Sequence, residues 1–198
     1  MKKAAALILL AIAAEWFVLR GPPPAHWRGM PAPRDPIQAS YDLPPTFPDG
    51  AYSIHPLATF SVTAVVLHRE RYRFDNAADL APVDLALGWG PISVASVING
   101  LKISQSDRWY EYSWENDPPV DPSLIPTHAG NFHCLPADEN VRDQLLAIHY
   151  HDLVTLEGYL VEVDGPNGYC WRSNLTNNSL GEHGCRVMWI KSVSDHKI

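Results

Sequence analysis

The residues best suited to chemistry in this sequence lie in one short stretch. His128, His133 and Asp138 carry the imidazole and carboxylate groups that commonly bind zinc and other divalent metals. They are the first candidate metal site. The stretch has neither an H-E-x-x-H motif nor paired C-x-x-C motifs, so the alternative is that these histidines are structural or face solvent. We therefore predict no cofactor, with a divalent metal as the alternative.

The same region also allows hydrolytic chemistry. Ser104 and Ser106 are candidate nucleophiles and Asp107 is a candidate acid, with His133 as the base. Such a grouping is allowed because catalytic triads are defined by geometry and not by chain order. No G-x-S-x-G or S-x-x-K motif accompanies them. The catalytic residues are therefore unassigned from the sequence, and Asn131 is explained equally well as a loop residue that hydrogen-bonds the backbone.

Two of the three cysteines flank a polar loop near the end of the sequence. If the protein works in an oxidising compartment, Cys170 and Cys185 are expected to form a disulfide bond across a hairpin. The alternative is a pair of free buried thiols. Cys134 is then left over, and we interpret it as a small core residue and not as a nucleophile.

Aromatic residues form a second candidate site. In a small barrel, a face of exposed rings can stack on bases or sugars, although burial in the core is the alternative. The chain has 15 Lys and Arg against 22 Asp and Glu, a net charge of −7, which argues against a nucleic-acid partner. The possible ligand-binding set is Trp89, Trp109, Tyr110, Tyr112 and Trp114.

The first 20 residues have the pattern of a bacterial export signal. A basic start at Lys2 and Lys3 precedes an apolar run, Ala4 to Leu19, that is broken only by Glu15. Residues 1–20 are expected to be an uncleaved membrane anchor or a cleaved signal peptide. We therefore expect the protein in the bacterial inner membrane facing the periplasm, or in the periplasm if the signal is removed.

A proline-rich segment follows the leader. Nine of the 18 prolines lie between residues 21 and 50. Prolines at this density cannot donate the backbone hydrogen bonds of a helix or a central strand. Residues 21–50 are therefore predicted to be an extended linker, and residues 51–198 a single globular domain rich in β-structure.

The body alternates strand and helix patterns. The sequence predicts strands at 59–72, 102–114, 153–163, 169–175 and 186–193, helices at 77–87, 94–99 and 137–148, and a loop at 120–136. Gly158 indicates a bend within its strand. These elements predict an α+β fold that is mainly antiparallel, a small and partly closed OB-like barrel with two or three short helices.

Six short motifs stand out in the body of the sequence: Pro56–Phe60, Leu85–Pro91, Ile103–Ser106, Asn131–His133, Pro136–Asp138 and Gly158–Val163. Together they resemble an uncharacterised family of short bacterial envelope proteins with an N-terminal signal or anchor and a β-rich body. The resemblance covers about residues 50–193. It implies an exported single-domain protein and supplies no activity or catalytic role.

Two hypotheses about function follow. The first is a non-enzymatic binding or assembly module of the bacterial envelope, anchored through its N-terminal segment, with an envelope protein or another envelope component as its partner. The alternative is an envelope enzyme, metal-dependent or hydrolytic, that uses the region of His128, Asn131 and His133.

Overall fold

The computed structural model describes residues 22–75, 77–176 and 184–196. Most of this part is β-structure. Its strands are β1 (Ile37–Ala39), β2 (Phe47–Asp49), β3 (Tyr52–Arg71), β4 (Val83–Gly88), β5 (Lys102–Ser106), β6 (Trp109–Ser113), β7 (Ala129–Pro136), β8 (Leu153–Asp164), β9 (Cys170–Arg172) and β10 (Arg186–His196). Its α-helices are short: α1 (Ala95–Gly100), α2 (Ile125–His128) and α3 (Glu139–Ala147).

Five of these strands pair in a closed cycle. β3 pairs with β4, β4 with β7, β7 with β10, β10 with β8, and β8 pairs back with β3. β3 is 20 residues long, which lets it pair with β8 along its first part and with β4 along its last part. The β7–β10 pair is parallel and the other pairs of the cycle are antiparallel, so the sheet is mixed and the fold is α+β.

Alternation along the strands builds the interior of this cycle. Phe60, Val62, Ala64 and Val66 are buried in one cluster with Phe132 of β7, as the period-two pattern of the sequence predicted. Residues of β4 and β7 on the opposite face are also buried. The hairpin of β5 and β6 covers part of that outer face. Gln105 of β5 there forms a hydrogen bond with Asn131 of β7.

Gly158 lies where β8 is held between two partners. It is in register with Phe60 of β3 on one side and with Ile190 of β10 on the other. A Cβ atom at this position would lie 1.9 Å from the carbonyl oxygen of Trp189. Only glycine therefore allows the β10 backbone to approach β8 this closely, and the register of β10 shifts directly afterwards.

Three predicted elements need correction. Val83–Gly88 is a strand and not a helix. Every residue of this short segment is buried, so its hydrophobic pattern has no period that separates a strand from a helix. Ala129–Pro136 is a strand and not a loop, again with nearly all residues buried. The predicted strand at 102–114 is a hairpin that turns at Asp107 and Arg108, both of which have positive φ.

The predicted linker at 21–50 does not run free of the domain. It is extended, as its prolines require, but β1 and β2 both pair with β3. Ala25 and Ala32 are buried. The Asn99 side-chain amide accepts from the backbone N–H of Ala25 and donates to its carbonyl, each at 2.8 Å. From residue 22 onward this segment is thus packed on the body instead of spacing it.

The helices of the described part are all too short or too polar to cross a membrane. The predicted signal or anchor at residues 1–20 lies outside the described residues.

Candidate active site

The centre of the site is a buried acid–histidine pair. Asp84 of β4 and His133 of β7 lie directly opposite each other in the register of the two strands. The Asp84 Oδ2 is 2.8 Å from the His133 Nδ1. Asp84 is 0% and His133 2% exposed. A carboxylate that binds Nδ1 fixes both the tautomer and the orientation of the ring, and it leaves Nε2 for another partner.

The other side chain that hydrogen-bonds to His133 is that of Cys185, which immediately precedes β10. Because β10 runs parallel to β7, with Arg186 in register with Phe132, Cys185 lies beside Asn131 and His133. Burial alone would lower the pKa of His133, but its hydrogen bonds with the side chains of Asp84 and Cys185 outweigh it and raise this pKa to about 9. Cys185 is partly exposed, whereas Asp84 and His133 are buried.

An amide pair flanks the sulfur. The Asn131 Nδ2 lies 3.7 Å from the Cys185 Sγ and 3.3 Å from the Arg108 carbonyl oxygen. The Asn131 Oδ1 accepts from the Gln105 Nε2 at 2.6 Å. Both amides are almost completely buried. The thiol itself donates to the Arg108 carbonyl oxygen at 3.9 Å. Its other neighbours are an imidazole and an amide N–H₂ group, and each of these two can stabilise negative charge on the sulfur.

Arg108 holds the acid in place from the turn between β5 and β6. Its Nη1 donates to the Asp84 Oδ1 at 2.9 Å, while its Nε and Nη2 bind the two oxygens of Asp75 at 2.8 and 2.9 Å. Burial lowers the pKa of Arg108, but Asp75 and Asp84 outweigh this and raise it. The guanidinium also stacks on Tyr72, 3.6 Å from the ring centre. Arg108 thus holds the Asp84 carboxylate in its orientation toward His133.

An indole ring covers the imidazole. The ring centres of Trp171 and His133 are 4.4 Å apart, and their planes are tilted by 40°. Trp171 is on β9, next to the strand that carries the predicted Gly158 bend. This cover excludes water from the Asp84–His133 hydrogen bond and so strengthens it.

A thiol, an imidazole and a carboxylate in this order form the arrangement of an activated nucleophile. The imidazole takes the proton of the thiol, and the carboxylate stabilises the imidazolium that results. Sequence analysis identified His133 and Asn131 as candidates but missed Asp84, Arg108 and Gln105. An aspartate inside the apolar run Val83–Leu87 was the available signal, because an isolated carboxylate is not buried without a partner.

The residues of the predicted metal site are not brought together. His133 is bound to Asp84, and the Asp138 carboxylate caps α3 by accepting from the Val141 N–H at 2.8 Å. The His128 Nδ1 lies 3.1 Å from the Leu124 carbonyl oxygen. The three residues thus have separate partners on different elements, and they do not form the single metal site that was expected. Among the described residues, ligand atoms suited to a metal do converge at Glu162, Asp164 and Cys170, which are largely exposed.

The cysteines do not form the predicted disulfide in this structure. All three are free thiols. Cys170 pairs with Asp164 across β8 and β9 and is exposed, whereas Cys185 is held by His133 and Asn131, so their sulfurs have different surroundings. Cys134 is fully buried in the interior of the strand cycle, as expected for a core residue.

The predicted aromatic ligand site is mostly packed. Trp89 is 1% exposed in the interior of the cycle. Tyr110, Tyr112 and Trp114 pack against a second apolar cluster beneath the β5–β6 hairpin. Trp109 alone of the predicted set is well exposed, at 50%. The five rings therefore do not form one open face.

Comparison with known protein families, with curated proteins and with solved structures finds no match to this chain. The arrangement of Cys185, His133 and Asp84 therefore has to be interpreted from its own geometry.

Proposed function

We propose that this protein is an enzyme that uses Cys185 as a nucleophile toward a carbonyl substrate, in acyl transfer or hydrolysis. The observation that carries the proposal is the line from the partly exposed Cys185 thiol through His133 to the buried Asp84 carboxylate. A structural ion pair would need Asp84 and His133 only. The third member, an accessible nucleophile at the imidazole, is what a catalytic arrangement adds.

The steps follow from the positions of the groups. The Cys185 thiol gives its proton to the Nε2 of His133, and the sulfur attacks the carbonyl carbon of the substrate. When the tetrahedral intermediate collapses, the leaving group takes the proton from His133 and a thioester remains. A water molecule then gives a proton to His133 and attacks the thioester, which releases the acid and restores the thiol. In acyl transfer, an alcohol or amine replaces this water.

The raised pKa of His133, about 9, suits the first step. An imidazole with this pKa is a strong enough base to keep the proton that it takes from the thiol, and the imidazolium that results stabilises the thiolate. Arg108 and Asp84 are already hydrogen-bonded behind the ring, so the site does not need to reorganise when the proton moves.

We also propose that the scaffold is an OB-like barrel. The proposal is supported by the five-strand cycle, by the long first strand that is shared between two neighbours, and by the helix α3 between β7 and β8. Placement of the enzyme in the bacterial envelope remains our proposal from the signal pattern of residues 1–20. Its substrate or partner would then be an envelope component.

A non-enzymatic binding module is the second candidate function. The observation that favours it is the exposure of Trp109 at 50% and of Phe74 at 97%, two aromatic rings that neighbour the Arg108–Asp75 ion pair in the sequence. Exposed aromatic rings are common at binding surfaces. The same rings could equally contact a substrate of the proposed enzyme.

Alkylation with iodoacetamide tests the proposed nucleophile. Cys170 is the more exposed thiol, but slight burial and the nearby Asp164 raise its pKa. Accessibility alone therefore favours reaction at Cys170, whereas the contact with His133 favours reaction at Cys185. At pH 7 we expect Cys185 to react about tenfold faster than Cys170, as resolved by peptide mass spectrometry. His133→Ala should remove the difference.

Acylation by p-nitrophenyl acetate tests the chemistry. In a Cys170→Ser background we expect a burst of one equivalent of p-nitrophenolate, and none after Cys185→Ser is added. Slower alkylation of Cys185 than of Cys170 would argue against the proposal, as would a Cys170–Cys185 disulfide in the purified protein.

A further inference from the structure

A chain of hydrogen bonds leads from the surface of the domain to the Cys185 sulfur. The Tyr150 hydroxyl lies 3.2 Å from the His68 Nε2, and the His68 Nδ1 lies 2.9 Å from the Gln105 Oε1. Gln105 then binds Asn131, and Asn131 reaches the sulfur. These residues come from β3, β5, β7 and the loop after α3. They are distinct from the three proposed catalytic groups, Cys185, His133 and Asp84.

The partners fix the direction of every bond in this chain. The Arg108 carbonyl oxygen can only accept, so the Asn131 amide must face it with Nδ2, 3.3 Å away. The Asn131 Oδ1 then faces Gln105, which donates through Nε2 and accepts through Oε1. His68 must donate to that Oε1 from Nδ1, which leaves its Nε2 to accept from Tyr150. All donors therefore point toward Cys185.

Burial makes this orientation costly to change. Asn131 is 1% and Gln105 7% exposed, so water cannot easily replace a lost partner. An Asn131 amide turned by 180° would put its oxygen against the Arg108 carbonyl oxygen and near the sulfur. The first contact would be repulsive between two carbonyl oxygens, and the second would repel a thiolate.

We propose that Asn131 is a catalytic hydrogen-bond donor to the reacting sulfur and to the carbonyl oxygen of the substrate, and that Gln105 and His68 are positioning residues that hold its amide in the donating orientation. The inference rests on the proposed function. It assigns to Asn131 the part of an oxyanion-stabilising group, whose loss typically slows a reaction about 10²- to 10³-fold.

Reversing the Gln105 donor tests the proposal. Gln105→Glu replaces the amide with a carboxylate that only accepts, so Asn131 must turn its Nδ2 away from the sulfur. Gln105→Leu removes the partner without reversing it. The matched control is Gln144→Glu, the same change at an exposed position of α3. All three variants are made in the Cys170→Ser background.

We expect acylation of Cys185 by p-nitrophenyl acetate to fall about 100-fold in Gln105→Glu, by a smaller factor in Gln105→Leu, and not at all in Gln144→Glu. The isosteric Gln105→Glu should be slower than Gln105→Leu, which is the reverse of the order that loss of packing alone would produce. Equal rates in Gln105→Glu and the parent would overturn the positioning role.

A measurement on the parent protein keeps the test independent of whether Gln105→Glu folds. The side-chain ¹⁵N–¹H₂ signals of Asn131 should shift when iodoacetamide modifies Cys185, while those of the exposed Gln144 should not. Unmoved Asn131 signals would overturn the inference. If Cys185 in the parent reacts no faster than Cys170, the proposed function itself fails; if Cys185 is fast and the Gln105 variants match the parent, this inference alone fails.

Discussion

Asp84 and His133 are register partners across β4 and β7, and they are joined by a 2.8 Å hydrogen bond in a fully buried position. The second oxygen of Asp84 is held by Arg108. Hydrogen bonds to both Arg108 and His133 offset the cost of burying the Asp84 carboxylate. The pair therefore links the stability of the fold to the ionisation of the site.

The first prediction concerns stability and pH. The pKa of His133 is raised to about 9 in the folded protein, from about 6.5 in an unfolded chain. A raised pKa means that the stabilisation is complete below pH 6.5 and is lost as the pH rises through 9. We expect a loss on the order of 3 kcal/mol over this range. Urea unfolding at pH 6, 7.5 and 9.5 measures it. The control is His133→Gln, whose stability should be flatter; parallel curves would contradict the prediction.

The second prediction concerns the influence of Cys185 on His133. The Asp84 hydrogen bond and then Cys185 are the interactions that raise the pKa of His133 against burial. Cys185→Ala should therefore lower this pKa below about 9 while Asp84 still holds it up. The ¹H NMR titration of the His133 ring measures the change. Cys170→Ala serves as the control and should leave the titration unaltered; an unaltered titration in Cys185→Ala would mean that the thiol does not contact the ring.

The third prediction concerns Arg186, the residue after Cys185. Its guanidinium is buried against Phe132, and among the described residues its Nε and Nη1 have no hydrogen-bond partner. Burial lowers the pKa of Arg186 to about 10, and only the nearby Cys185 acts against this. Arg186→Met should keep the packing and leave stability unchanged or raised by about 1–2 kcal/mol. Alkylation of Cys185 should slow several-fold, because a cation near the thiolate is lost.

Urea unfolding and peptide-resolved alkylation of Arg186→Met check the two halves of this prediction separately. Lys191→Met, which removes an exposed cation from the same strand, is the control and should change neither quantity. A loss of more than about 3 kcal/mol in Arg186→Met would show that the guanidinium is well paired after all.

The fourth prediction concerns the contact between β8 and β10. In Gly158→Ala the new methyl group would lie 1.9 Å from the Trp189 carbonyl oxygen, so backbone and not a flexible side chain would have to move. We expect a destabilisation of about 4 kcal/mol or failure to fold. Gly50→Ala is the control: its φ of 56° is unfavourable for alanine, but nothing lies within 4 Å, so about 1 kcal/mol is expected. Similar losses at both positions would refute the close approach.

The sequence allowed the general class of fold to be predicted but not the site. The alternation from Phe60 to Val66 and the helix capped by Asp138 are local signals, and both elements form. β4 and β7 were missed because both of their faces are buried, which removes the period-two alternation. His133 was then placed in a loop, away from the strand that carries Asp84.

The sequence predicted that Cys185 bonds to Cys170, whereas in this structure Cys185 is a free thiol beside Asn131 and His133. Asn131 and Cys185 are 54 residues apart, and only the parallel pairing of β7 with β10 brings them together. No spacing rule in one sequence reports such a pairing. The export pattern favoured a bond to Cys170, the cysteine that is closer along the chain.

β10 enters the cycle between β7 and β8, two strands that precede it in the chain. During synthesis, Asp84 and His133 can meet before β10 exists, but the sulfur cannot reach the imidazole until β10 has inserted and closed the ring of strands. The nascent chain would therefore carry an ordinary thiol through synthesis and any export step. Reactivity would begin only with the last closure of the fold, so the protein would be protected from premature modification by the order of its own strands.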